Sequence, residues 1–167
     1  YFMTRTGSTL SADNNCINLQ HDKFDDFARF LVRCVQHFRE NGYNVKYISP
    51  LNEPNVEWHT NSWQEGTFAT KADIYRMVAE LDKAITESGA DTKIVIPEMG
   101  ELKMLFEVAE NERIPDDIIR SMFYDDGAYS VMQFKNLYNC LAAHDYWTAY
   151  PPSLLVDIRA QVRDSLA

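Results

Sequence analysis

Three short apolar runs recur along the chain at a spacing of roughly 47 residues, and that period constrains the fold more than any other feature. They occupy residues 45–50 (VKYISP), 93–97 (KIVIP) and 140–144 (CLAAH). A helical pattern fills each gap. Strands that alternate with helices build βαβ units with parallel strands. Runs so continuously apolar suit a sheet covered on both faces. The expected fold class is therefore α/β.

The helical stretches can be placed by their stripes and stops. Over residues 22–40, Phe24, Phe27, Leu31, Val35 and Phe38 fall at three- and four-residue steps, with Gly42 as a stop. The second stretch opens at Thr70, where TKAD makes a capping-box variant with Asp73 in place of Glu. Its stripe is Ile74, Val78, Leu81 and Ile85, and Gly89 ends it. Residues 114–123 open with Pro115 and acidic residues, and residues 152–166 again start with proline and turn Leu155, Ile158 and Val162 inward.

One more period back from Val45 lands near the start of the chain, so YFMT reads as the tail of an earlier strand. The count is about three and a half βα units, against the eight of a closed barrel of about 250 residues. The expectation is one partial domain, residues 1–167, the middle of a (β/α)8 TIM barrel cut at both ends. No Gly-rich phosphate loop follows any strand, which weighs against an open nucleotide-binding sheet.

Composition narrows the function. The chain is 46% hydrophobic and carries a net charge of -9, which suits a packed core and argues against nucleic acid. No window reaches the roughly 18 uninterrupted apolar residues of a membrane span. Cys16, Cys34 and Cys140 lie far apart without CxxC spacing, and His21, His37 and His59 are not paired at ligand spacing, so neither a disulfide framework nor a zinc site is expected. No cofactor is expected either.

In a parallel barrel the site gathers at the carboxyl ends of the strands. Those positions hold Glu53, Glu98 and His144-Asp145-Tyr146, one polar cluster per strand. The loops after them supply Trp58, Trp63 and Trp147, the three tryptophans of the sequence. Flat aromatic faces suit sugar rings, with polar neighbours left for the hydroxyls. Glu53 has the setting of a general acid, with Pro54 stiffening the backbone after it and Asn52 beside it. A plain turn accounts for the triplet Asn-Glu-Pro equally well when it is taken alone.

Taken together, YISPLNEPNVEW, the following WQEGTFAT and the later AAHDYWT resemble glycoside hydrolase family 30, in the clan of retaining (β/α)8 glycosidases. YFMTRTG is similar to that family's third-strand segment, so the chain would cover about the third to sixth strands with their helices. The likeness extends over almost the whole chain, and QEG points towards members resembling endo-β-1,6-galactanases. The resemblance implies that Glu53 is the acid/base, that Asn52 binds the sugar 2-hydroxyl, and that Tyr146 approaches the nucleophile. His144 would shape the same pocket, Trp58, Trp63, Gln64 and Trp147 would line sugar subsites, and Glu98 and Glu101 would contact sugar hydroxyls or close the barrel top by a salt bridge. The substrate would be an oligo- or polysaccharide, and the parent enzyme would be secreted, periplasmic or at the cell surface.

The family's nucleophile is a Glu ending the seventh strand, so it is expected outside this chain, and the fragment alone is expected to be inactive. Two rivals stand beside this reading. One is a non-catalytic carbohydrate-binding barrel. The other is an enolase-type barrel with Glu53, Glu98 and Asp145 on Mg2+, which leaves Pro54 and the loop tryptophans without a role.

Overall fold

The computed structural model describes residues 2–7, 17–56, 58, 66–109, 114–148 and 150–167. Among these, three strands form one sheet in the order β1 (Tyr47–Ile48), β2 (Lys93–Met99) and β3 (Leu137–Ala143), all parallel. Tyr47 stands opposite Lys93, and Ile94 is flanked by Ile48 and Leu137. The α/β class and parallel pairing are as expected, while the strand limits differ. β1 is two residues long because the chain leaves the ladder at Ser49 to carry the Asn-Glu-Pro turn, and β3 starts at Leu137, before its apolar run.

Helix α1 (Phe24–Glu40) follows a 3-10 turn at His21–Lys23. Its buried stripe is Phe24, Ala28, Val32 and Val35. Phe38, expected in that stripe, is half exposed, because at the last turn its ring meets Tyr43 edge-on at 6.1 Å rather than the core. Helix α2 (Lys71–Ser88) begins with the expected capping box, Thr70 and Asp73 each bonding the other's backbone N–H. It ends at Gly89, whose φ of +67° suits a residue without a Cβ. One face of α2 (Ile74, Met77, Val78, Leu81, Ile85) is fully buried against α1 and the sheet residues Ile94 and Ile96.

Helix α3 (Ile118–Met122) is shorter than expected. Asp117 sits at φ +42°, which is not helical, and Asp116 turns inward to take Lys71 Nζ at 2.6 Å. The acidic residues expected in a first helical turn serve instead as a tie to α2. Helix α4 (Pro152–Ser165) starts with proline as expected and buries Ile158. Tyr1 of YFMT lies outside the described residues; Thr4 makes an isolated antiparallel bridge with Leu19 rather than a parallel strand. Among the described residues, no helix is long and apolar enough to cross a membrane.

Two backbone bonds lace the carboxyl ends of the strands together. Glu53 N–H donates to Glu98 O at 2.8 Å, and His144 N–H donates to Met99 O at 2.7 Å. Every polar cluster expected at a strand tip is therefore held at one edge of the sheet.

Candidate active site

Glu53 is the most enclosed ionisable group at that edge, 4% exposed. Its φ is +50° and that of Glu98 is +57°, left-handed values that a non-glycine residue adopts only when its surroundings impose them. The turn is imposed from three sides. Glu53 N–H is fixed to β2, Glu53 O accepts the Trp58 indole N–H at 3.2 Å, and Pro54 O accepts Ala69 N–H at 3.0 Å. Pro54 then restricts the chain that follows.

The carboxyl group itself meets an imidazole. Glu53 Oε1 lies 2.7 Å from His144 Nδ1, and Glu98 Oε2 lies 3.5 Å from His144 Nε2. Three strand tips thus meet in one line of side chains. Tyr146 packs edge-on against the His144 ring at 5.4 Å, and Trp147 packs against Tyr146 at 5.8 Å. Both are open to solvent, Tyr146 by 51% and Trp147 by 71%. The turn that presents them is anchored by Thr148, fully buried, whose hydroxyl and N–H both donate to Asp145 O.

Cavities open on either side. One of about 840 Å³ has Asn52, Glu98 and Thr67 in its wall and runs back to Phe27, Leu19 and Met77. A second, about 310 Å³, is lined by His144, Asp145, Tyr146 and Arg159. Burial pushes the Cys140 thiol upward, and the negative charge of Glu98 adds to this. Burial likewise raises the Glu101 carboxyl, opposed by Lys103.

Of the residues singled out in the sequence, Glu53, Glu98, His144, Tyr146 and Trp147 come together, and Asn52 is exposed in the adjoining cavity wall. Trp58 does not offer its face to a ligand. It is 7% exposed, and its N–H supports the Glu53 backbone, because Gly66 leaves it a slot that any Cβ would fill. That corrects the expectation of a sugar subsite there. Trp63, Gln64, Cys16 and His59 lie outside the described residues. Asp145 is exposed and joins Glu101 through a backbone bridge. Among the described residues, no group of three His, Cys, Asp or Glu side chains is arranged to hold a metal ion.

Two supporting residues, Asn55 and Gly100, are given no role by the sequence motifs. Asn55 is buried, and its side-chain oxygen accepts Gly100 N–H at 2.7 Å, while Gly100 lies against Glu53 Cγ. Only the position of Asn55, two residues after the carboxylate, hinted at it.

A family model described as O-Glycosyl hydrolase family 30 matches residues 1–167. The chain belongs to that family. A solved structure of a conserved exported protein from Bacteroides fragilis is 67% identical to this family 30 chain, with a TM-score of 0.95 over 99% of the chain and 34% of that protein. A family 30 subfamily 8 xylanase from Clostridium acetobutylicum shares the fold at 17% identity, with a TM-score of 0.54 over 95% of the chain and 34% of the xylanase. The chain thus spans about a third of the length of each. No curated protein matches it.

Proposed function

We propose that the polypeptide carrying this chain hydrolyses β-linked polysaccharide with retention of configuration, using Glu53 as the acid/base. The observation that carries the reading is a carboxyl group 4% exposed at a strand tip, hydrogen-bonded to His144, in a chain of family 30. In the first step Glu53 gives its proton to the glycosidic oxygen while a second carboxylate attacks the anomeric carbon. In the second step Glu53, now ionised, takes a proton from the water that releases the sugar. The two carboxyl groups must stand about 5 to 5.5 Å apart. Glu98 is turned onto His144, and the nucleophile is assigned, as the family resemblance implies, to a Glu ending a seventh strand outside residues 1–167. The domain is accordingly read as the central part of a (β/α)8 barrel.

Asn52, exposed beside Glu53, is assigned to the sugar 2-hydroxyl, and Tyr146 to the neighbourhood of the nucleophile. The exposed faces of Tyr146 and Trp147 suit a sugar ring. Trp63 and Gln64 keep the subsite roles that the resemblance gives them. β-1,6-Galactan is the proposed substrate, and export is proposed from the likeness to an exported protein.

Replacing Glu53 with Gln in the full polypeptide tests this. Reducing-sugar release from β-1,6-galactan is expected to fall by about 10²- to 10⁴-fold, while galactan binding persists. Hydrolysis by the variant at the unaltered rate removes the assignment.

A further inference from the structure

The imidazole between the two strand-tip carboxylates has a role of its own, one that rests on Glu53 being the acid/base. We infer that His144 and Glu98 are positioning residues for Glu53, not sugar ligands. Histidine has two ring nitrogens, and each faces one of the two carboxyl groups. Nδ1 stands 2.7 Å from Glu53 Oε1, and Nε2 stands 3.5 Å from Glu98 Oε2. Tyr146 covers the ring edge-on at an interplanar angle of 90°. The Glu98 contact is longer than a hydrogen bond, and the Glu98 carboxylate occupies the approach to Nε2.

The backbone makes the arrangement stiff. Glu53 N–H donates to the carbonyl of Glu98 itself, and His144 N–H donates to the carbonyl of the next residue, Met99. The three groups therefore cannot drift independently. Glu53 and Glu98 share the same left-handed backbone geometry, which turns both side chains onto one ring. The side chains are 5% exposed at Glu53, 29% at His144 and 24% at Glu98, so the carboxyl group assigned the chemistry is the most enclosed of the three.

The consequence is a choice of oxygen. In the tautomer with its proton on Nδ1, His144 donates to Oε1 of Glu53, which leaves Oε2 to carry the proton that moves to the glycosidic oxygen. Glu98 Oε2 stands 3.5 Å from the far nitrogen, close enough to restrict the rotation of the ring. Removing the ring frees the carboxyl group to rotate, and an acid that is misaimed loses turnover rather than affinity.

Four variants of the full polypeptide decide the matter on β-1,6-galactan: Glu53→Gln, Glu98→Gln, His144→Leu and His144→Asn. His144→Leu is expected to lower kcat by about tenfold or more with KM within about twofold. His144→Asn, whose amide reaches the place of Nδ1, is expected to recover most of that loss. Raised KM with unchanged kcat in His144→Leu makes the residue a sugar ligand and overturns the inference. A fully active His144→Leu beside an inactive Glu53→Gln removes the positioning pair alone, whereas an active Glu53→Gln removes both readings. If His144→Leu does not fold, Glu98→Gln is read by the same kcat and KM criteria.

The imidazole 15N spectrum gives a readout that needs no substrate. The resonance that disappears in His144→Asn is expected to shift in both Glu53→Gln and Glu98→Gln. Its indifference to either replacement contradicts the contacts on which the inference stands.

Discussion

Glu53 depends on a residue thirteen positions away for its aim. Trp58 donates its indole N–H to the Glu53 carbonyl, and the ring fits only because Gly66 has no side chain. A Cβ at Gly66 collides with the indole, so Gly66→Ala must displace Trp58 and disturb the turn that carries the carboxyl group. We expect a loss in kcat of about tenfold or more, since small misplacements of catalytic groups cost up to about a hundredfold. A shifted tryptophan fluorescence maximum accompanies it. Unchanged kinetics show that the indole is not what holds the turn.

Helix ends show how short-range chemistry fixes elements. The capping box of α2 satisfies the N-terminal N–H groups through Thr70 and Asp73, so Thr70→Ala should cost about 1 kcal/mol of unfolding free energy, read from urea denaturation. At the start of α1, hydrogen bonds from Lys23 and then Arg29 hold the Asp26 carboxyl below its usual range. A depressed carboxylate adds stability above its unfolded pKa of about 3.9 and loses it as pH falls through the folded value. Asp26→Asn should therefore melt below the unaltered protein at pH 7, and the two should converge near pH ~2. Because the group lies at the surface, added salt should narrow the gap. A gap that widens on acidification contradicts this sign.

Among the described residues, α1, α2 and the sheet pack around one apolar cluster that extends to Leu105 and α3. Ile94 is fully buried at the middle strand, between Ile48 and Leu137 and under α2, so Ile94→Ala should cost about 2 to 5 kcal/mol in the same denaturation measurement. A loss under about 1 kcal/mol means that the cluster closes around the gap. Much of this scale was legible beforehand. Helix stripes, the Thr70 cap, the Gly89 stop and the parallel order follow from periodicity and from local bonds that span three or four residues. So did the gathering of Glu53, Glu98 and His144, because each ends a run whose neighbours lie parallel. Phe38, Asp116 and Trp58 depart from the sequence pattern for the opposite reason. Phe38 depended on Tyr43 beyond the end of its helix, Asp116 on Lys71 forty-five residues earlier, and Trp58 on a glycine that clears its ring. The chain's sequence determined which residues reach the strand tips, since that is a matter of period and chain direction. Only the tertiary structure decided which way they face, since a side chain's orientation is set by contacts from elements distant along the chain.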